Sequence, residues 1–223
     1  MNTALSNLRN TSVEIPCSGA MLDGDLTLPA NASGLVVFAH GSGSSRLSPR
    51  NRMVADEMHR HGLATLLFDL LTPREASEEA ATGELRFNIP FLADRLVAAT
   101  RWVQKEGNLK NFGIGYFGSS TGAAAALSAA ADIPEVQAVV SRGGRTDLAG
   151  DAVNRVQCPT LLIVGQLDLP VIRWNEATFE HLSTIKHLAI IDGATHLFEE
   201  PGTLEHVAEL AASWFEAYLT KVP

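Results

Sequence analysis

Residues 115–127, "GYFGSSTGAAAAL", decide how the rest of the chain is interpreted. Glycines and small hydroxyl residues run directly from an apolar segment into an alanine-rich one. Three structures have this composition: a catalytic serine on a sharp turn between a strand and a helix, a glycine loop that binds phosphate, and a membrane helix of small residues. The flanking sequence has to distinguish among them.

The membrane interpretation depends on residues 111–131, which carry no charge and are long enough to cross a bilayer. Glycine, alanine, serine and threonine dominate this segment, so its transfer into lipid would gain little free energy. A buried strand followed by a buried helix explains the same absence of charge. We therefore expect no membrane association.

The bulk composition describes one globular domain. The chain has 223 residues, of which 46% are hydrophobic, and we expect a single domain over 1–223. A net charge of −8 argues against nucleic acid as a partner. The two cysteines, Cys17 and Cys158, are far apart, so we expect no metal site, and we expect no cofactor. The first residues lack the apolar core of a signal peptide, so we expect a cytoplasmic protein. Whether it forms a homodimer stays open.

Strands and helices alternate along most of the chain. Strands are predicted at 34–40, 63–70, 112–117, 136–141, 159–166 and 186–192, and helices at 48–62, 89–107, 122–131, 147–156, 171–182 and 202–219. This alternation requires crossover connections and predicts an α/β fold with a mostly parallel sheet covered by helices on both faces. An antiparallel hairpin that turns at Asp23-Gly24 precedes it, and 71–88 is predicted to be a loop, with a short helix as an alternative.

Polar side chains follow several of the predicted strands, at the edge where open parallel sheets carry their chemistry. "HGSGSS" (40–45) follows the first parallel strand, and "GSSTG" (118–122) follows the central one. Asp168 and His196 follow the last two strands. A serine, an aspartate and a histidine therefore occur at three strand ends, in that chain order.

This arrangement resembles the α/β-hydrolase superfamily over about 13–220. "GSSTG" fits the G-x-S-x-G nucleophile elbow, and Ser…Asp…His is the chain order of that superfamily. The short length, "HGSGSS" and "GATHLFEEPG" are similar to its dienelactone hydrolase-like branch. The enzymes that name the branch have cysteine in the elbow, whereas this chain has serine. Only "RGGRTD" follows the strand at 136–141, which leaves no room for a cap domain.

The resemblance implies Ser120 as the nucleophile. The residues two before and two after the nucleophile lie close together in an elbow, so both must be small. For Ser120 these are Gly118 and Gly122, whereas Ser119 would have Phe117 and Thr121 in those places. Ser119 is therefore expected to be structural.

The resemblance also implies the partners of Ser120. His196 would take its proton, and Asp168 would fix the tautomer of the imidazole. Asp147 is an alternative acid, because it too follows a strand. The backbone N–H groups of Thr121 and Ser42 would form an oxyanion hole.

Arg46, Arg142 and Arg145 lie near predicted strand ends, where a guanidinium could hold a carboxylate of the substrate, and Arg142 is the first candidate. Structural ion pairs are the alternative for all three. The expected activity is hydrolysis of a small carboxylic ester, or of a related lactone, thioester or acyl-peptide bond, in an open site covered at most by 71–88.

Two other functions are compatible with parts of the sequence. "GIGYFG" (113–118) has the G-x-G-x-x-G pattern of a nicotinamide-dependent oxidoreductase. The segment before it is polar, so the predicted strand has to run through these glycines instead of ending before them. A hydrolase fold without activity that acts as a binding protein is the other alternative.

Overall fold

The computed structural model describes residues 8–221, which form one eight-stranded sheet flanked by helices. The strands are β1 (Leu8–Cys17), β2 (Ala20–Pro29), β3 (Gly34–Ala39), β4 (Ala64–Phe68), β5 (Gly113–Ser119), β6 (Val136–Arg142), β7 (Thr160–Gly165) and β8 (Lys186–Ile191). The helices are α1 (Pro49–Arg60), α2 (Pro73–Thr82), α3 (Ile89–Lys105), α4 (Thr121–Asp132), α5 (Leu169–His181) and α6 (Thr203–Tyr218), with a 3₁₀ segment at Thr146–Arg155.

The strand order confirms the predicted architecture. The order is β1-β2-β4-β3-β5-β6-β7-β8. β2 pairs antiparallel with β1 and with β4, and the other neighbouring pairs are parallel. The carboxyl ends of β3, β5, β6, β7 and β8 therefore lie along one edge of the sheet, where the predicted site residues follow them.

Burial on both faces explains the apolar strand sequences. β3, β5 and β7 are buried along their whole length, as expected for parallel strands covered on two sides. Successive side chains alternate between the faces: Tyr116 packs in the core with α3 and α4, and Phe117 packs in the core with α1 and α6. Each such buried aromatic side chain contributes roughly 1.5–3 kcal/mol to stability.

The hairpin is present, but the predicted position of its turn is wrong. β1 and β2 are joined at Ser18-Gly19, where both residues have positive φ (39° and 82°), as in the turns that tight hairpins favour. Asp23-Gly24 lies inside β2. A Cβ on Gly24 would lie 3.1 Å from Val13 and 3.3 Å from Phe68, so glycine is there for a close approach between strands.

The segment 71–88, predicted to be a loop with a short helix as an alternative, contains helix α2. Thr72 accepts from the Glu75 N–H and Glu75 accepts from the Thr72 N–H, so the two form a capping box. Pro73 opens the helix, and Gly83 ends it in the left-handed conformation with φ 71°. Only Glu79 of this helix is buried. The helix therefore lacks the apolar periodicity on which the sequence prediction relied.

The glycines of "GIGYFG" do not form a phosphate loop, because β5 runs through them. A Cβ on Gly115 would lie 2.6 Å from the Phe215 ring, so this glycine makes room for α6 against the sheet. A dinucleotide fingerprint needs these glycines between a strand and a helix. The structure thus removes the basis for the oxidoreductase alternative.

No cap domain interrupts the described fold, since β6 ends at Arg142 and the 3₁₀ segment begins at Thr146. This segment was predicted as a helix, and it is kinked at Gly150, where φ is 53°. Among residues 8–221, no helix combines the length and the apolar character that a membrane crossing requires.

Candidate active site

Ser120 lies on a strained turn between β5 and α4. Its φ of 51° and ψ of −121° are unusual for a residue with a side chain. Neighbouring backbone holds this conformation: the Ser120 N–H donates to the Arg142 carbonyl at 3.1 Å, and the Ser120 carbonyl accepts from the Arg145 N–H at 3.0 Å. The strain lifts the side chain away from the sheet, as a nucleophile elbow requires.

Two glycines make this turn sterically feasible. A Cβ on Gly118 would lie 2.5 Å from the Ala123 Cα, and a Cβ on Gly122 would lie 2.5 Å from the His40 carbonyl oxygen. Real Cβ atoms do not approach other atoms so closely, so neither position accepts alanine without a backbone shift. Ser119 is buried, and its hydroxyl donates to Asn51 Oδ1 at 3.1 Å, which ties β5 to α1.

Asp168 and His196 form a hydrogen-bonded pair. His196 Nδ1 donates to Asp168 Oδ2 over 2.6 Å, and the Asp168 side chain is 12% exposed against 38% for His196. The two residues follow β7 and β8, which are neighbours in the sheet. Asp147, the alternative acid, instead accepts from Arg145 through both carboxylate oxygens, at 2.9 and 2.8 Å.

Ser120 and His196 lie on two sides of the same short segment after β6. A Cβ on Gly143 would be 3.4 Å from His196 Nδ1, and Arg142, the preceding residue, accepts from the Ser120 N–H. No hydrogen bond joins Ser120 Oγ to His196 within residues 8–221. In unliganded enzymes this contact is often longer than in the substrate complex.

The loop after β3 passes directly over the elbow. A Cβ on Gly41 would lie 3.1 Å from Ser120 Cβ. The Ser42 N–H, predicted to be free for an oxyanion, donates to Thr121 Oγ1 at 3.1 Å, and the two hydroxyls lie 3.0 Å apart. The Thr121 N–H is at the start of α4, where helical N–H groups lack a partner within the helix.

The side chain of His40 stabilises the loop after β3. Its Nδ1 donates to the Gly41 carbonyl at 3.0 Å, and its Nε2 accepts from the Leu70 N–H at 3.0 Å. Burial lowers the pKa of His40, although the Gly41 carbonyl and the charge of Asp69 partly offset this effect. His40 is therefore a neutral link between the loop and the end of β4.

Arg46 is engaged by three carboxylates and is not a free substrate-binding group. It forms an ion pair with Asp69, and its guanidinium lies 3.7 Å from Asp25 and 3.9 Å from Asp23. The backbone N–H of Arg46 also donates to Asp69 Oδ1 at 2.7 Å. These contacts favour the structural alternative and correct the prediction that Arg46 binds substrate.

Arg142 has no such partners. It is 7% exposed, its Nη1 has no hydrogen-bond partner, and no carboxylate of the described chain lies within ion-pair distance. Arg142 pairs in register with Ser119, so both side chains lie on the sheet face covered by α1. Burial lowers the pKa of Arg142 to about 10, and the charge of Arg50 adds to the effect.

Comparison with known proteins identifies the family of this fold and site. The sequence profile of the dienelactone hydrolase family matches residues 22–220. The chain belongs to the dienelactone hydrolase family. The crystal structure of the dienelactone hydrolase from Anabaena variabilis is 54% identical, with a TM-score of 0.93, over 95% of this chain and 99% of that one. The assignment of the α/β-hydrolase fold rests on these matches.

Other relatives are more distant in structure or longer in sequence. Est1E from Butyrivibrio proteoclasticus has a TM-score of 0.76 at 17% identity, over 92% of this chain and 97% of that one, which shows a common fold. Two Mycobacterium tuberculosis proteins whose names contain "phosphoribosyl transferase" are 50% identical over 213 residues, 95% of this chain. Those 213 residues are 47% of each of them, so the chain spans about half the length of these curated relatives.

A cavity of about 290 Å³ opens beside the loop after β3, which contains the predicted oxyanion donor Ser42. We call this cavity the oxyanion-side pocket. Its walls include Ser42 and Thr121 together with Leu70, Leu71 and Leu92. Ala76, Glu79, Ala80 and Arg86 close it on the side of α2. This pocket was not predicted from the sequence, although the alanines four residues apart in "ASEEA" share one helical face once a helix is assumed. A larger groove of about 470 Å³ between the hairpin and α1 contains none of the predicted site residues.

Within the described chain, one group of three residues could hold a metal ion: Glu57, His61 and Glu209. It joins α1 to α6, away from the elbow. Burial acts to lower the pKa of His61, but a hydrogen bond with Glu216 and the charges of the neighbouring glutamates outweigh it and raise the pKa. In this structure the three residues form an ion-pair cluster, with His61 Nε2 3.6 Å from the carboxylates of Glu57 and Glu209.

Proposed function

We propose that this chain is a serine hydrolase that cleaves a small carboxylic ester, or a related acyl bond, through an acyl-enzyme on Ser120. The observation that carries the proposal is the strained conformation of Ser120 between β5 and α4, with φ 51°. Such strain is costly, by roughly 1–3 kcal/mol, and it persists where it serves a function. The Asp168–His196 hydrogen bond of 2.6 Å supports the same proposal.

In the proposed first step, Ser120 Oγ attacks the carbonyl carbon of the ester while His196 Nε2 accepts the hydroxyl proton. The Asp168 carboxylate accepts the Nδ1–H and stabilises the imidazolium that forms. His196 then gives the proton to the leaving alcohol. A water molecule reverses this sequence to release the acid and free Ser120.

The negative charge on the carbonyl oxygen would be held by the N–H groups of Thr121 and Ser42. The substrate oxygen would replace Thr121 Oγ1 as acceptor of the Ser42 N–H, and the N-terminal dipole of α4 would add to the attraction. Each donor of this kind is worth roughly 10²–10³ in rate. The hydroxyl of Thr121 would thus satisfy the Ser42 N–H until substrate arrives.

We also propose that Arg142 holds an anionic group of the substrate. Its unpartnered Nη1 and its position next to the elbow support this role. Its interaction with the Ser120 N–H goes through its own backbone carbonyl, so the guanidinium stays available.

The names of the relatives support different parts of this proposal. The words "dienelactone hydrolase" and the esterase fold neighbours agree with cleavage of an ester bond. The words "phosphoribosyl transferase" belong to proteins about half of which lies outside the matched segment. Cys17 and Cys158 are buried and free, which is compatible with the cytoplasmic location that we propose.

The test compares Ser120→Ala with Ser119→Ala, which removes the neighbouring hydroxyl. We expect Ser120→Ala to lower kcat for p-nitrophenyl acetate by about 10³-fold or more. Ser119→Ala should keep most of the activity, because its hydroxyl bonds to Asn51 and not to the substrate. A serine-directed phosphonate, located by mass spectrometry, should label Ser120 in the wild type.

Other outcomes favour the alternatives. Hydrolysis that survives in Ser120→Ala, or a label on another residue, would contradict the acyl-enzyme. A folded wild-type protein without hydrolysis or labelling would favour a binding protein with an inactive hydrolase fold. Tight binding of reduced nicotinamide cofactor in a fluorescence titration would revive the oxidoreductase.

A further inference from the structure

The oxyanion-side pocket has the position and the lining to select the acyl group of the substrate. We infer that it binds a short, straight, apolar acyl chain. This inference rests on the proposed function and adds the class of acid that the enzyme releases. It concerns the residues of α2, of α3 and of the segment after β4 that the proposed reaction does not use.

The position of the pocket assigns it to the acyl side of the ester. Its wall contains Ser42 and Thr121, whose N–H groups would hold the carbonyl oxygen. Gly41, which lies against Ser120, is a lining residue, whereas Ser120, Asp168, His196 and Gly143 are not. Because His196 gives its proton to the leaving alcohol, that alcohol departs on the side of His196. The group on the opposite side of the carbonyl carbon, next to the oxyanion loop, is the acyl chain.

The lining of the pocket is suited to hydrocarbon. Leu70 and Leu92 are buried, and Leu71, Ala76 and Ala80 complete an apolar wall. A hydrocarbon chain in contact with this wall would remove apolar surface from water, which is favourable.

The charged side chains of the pocket and the imidazole of His40 are already paired within the protein. The Glu79 carboxylate is paired with the Arg86 guanidinium and accepts from the Leu85 N–H at 2.6 Å. Both ring nitrogens of His40 are engaged by backbone. A polar acyl group would therefore find few free partners, and this favours an alkyl chain.

The size of the pocket limits the length of that chain. Its volume of about 290 Å³ is at the lower end of the range of small-molecule pockets, roughly 300–1,000 Å³. Ala76 and Ala80 are one helical turn apart on α2 and set the width of one side. Larger side chains at these two positions would fill the space.

The experiment measures kcat/KM for p-nitrophenyl acetate, butyrate and hexanoate. In the wild type we expect an increase of roughly fourfold for each methylene that the pocket buries. The double variant Ala76→Leu/Ala80→Leu should lose about tenfold on hexanoate and change little on acetate. Ala81→Leu is the matched control, because Ala81 is exposed on the same helix, as Ala76 and Ala80 are, but does not line the pocket.

Two results would overturn the inference: a chain-length profile of the double variant that equals that of Ala81→Leu, or an equal loss on all three esters. Either result is compatible with the proposed function, provided that acetate hydrolysis still depends on Ser120. The proposed function fails separately, if acetate is hydrolysed without Ser120. Circular dichroism of both α2 variants checks that the helix is retained.

Discussion

Arg142 carries a charge that no carboxylate of the described chain neutralises. A buried cation without a partner is unfavourable, and a bound anion would supply that partner. With a pKa of about 10 the guanidinium is still protonated at neutral pH. We predict that Arg142→Met lowers kcat/KM for an ester with a carboxylate in its leaving group by about tenfold or more, since a hydrogen bond to a charged group is worth roughly 1.5–3 kcal/mol.

The matched neutral ester should be hydrolysed almost as fast by Arg142→Met as by the wild type. Arg145→Met serves as control, because the Arg145 guanidinium is already paired with Asp147 and lies 4.2 Å above the Trp174 ring. An equal loss on both esters, or no loss on either, would assign Arg142 a purely structural role.

The sequence predicts best those residues whose structural constraints come from near neighbours in the chain. Gly118 and Gly122 predict the elbow at Ser120, because the constraint acts over two residues on each side. The role of Arg46 could not be read in this way. Its carboxylate partners come from β2 and from the end of β4, and only the sheet order brings them together.

At the scale of the element, helix α2 is the loosely held wall of the oxyanion-side pocket. Arg95 of α3 is buried and donates to Glu75 of α2 at 2.6 Å. Apart from this contact, the helix buries only Glu79. We predict that Arg95→Met increases hydrogen exchange of the α2 amides by about tenfold while the β5 amides stay protected, because local opening reflects few buried contacts.

Arg74→Met provides the control for this helix. Arg74 pairs with Glu78 across one exposed turn of α2, and such surface pairs contribute little to stability. Its exchange profile should therefore match that of the wild type within about twofold. Unchanged α2 exchange in Arg95→Met, or an equal increase in β5, would show that the ion pair does not hold the helix.

The elements missed or misplaced from the sequence share a physical cause. A periodic apolar pattern reveals helices that bury one face, and α2 buries only one residue. Its helix is indicated instead by the cap residues Thr72, Glu75 and Gly83. The pair Asp23-Gly24 is a strong hairpin signal that β2 overrides, because the close approach of Phe68 requires glycine within the strand.

At the scale of the whole molecule, the alternation of apolar strands with amphipathic helices was sufficient to predict the α/β sheet. Five parallel pairs need crossover helices, and covered strands need apolar runs, so both constraints are visible in the sequence. No hydrogen bond joins Ser120 to His196 in the described chain, and no sequence pattern reports the separation of two side chains.

Three histidines link the stability of the whole fold to pH. Burial lowers the pKa values of His40 and His59, so the folded state keeps them neutral while the unfolded chain takes up protons below its pKa of about 6.5. Their contribution to stability therefore falls as the pH decreases below that value. His61 acts in the opposite direction, because its raised pKa adds stability at low pH that is lost as the pH rises.

For His40 the cause is local and can be removed. Protonation would place an N–H on Nε2, which faces the Leu70 N–H at 3.0 Å, so two donors would meet. We predict that the free energy of unfolding in urea falls between about pH 7 and about pH 5 in the wild type. His40→Gln keeps an acceptor for the Leu70 N–H and cannot titrate, so its decrease should be smaller, whereas His61→Gln should make the decrease larger. A His40→Gln protein with the wild-type dependence would show that His40 is not the group that acid protonates.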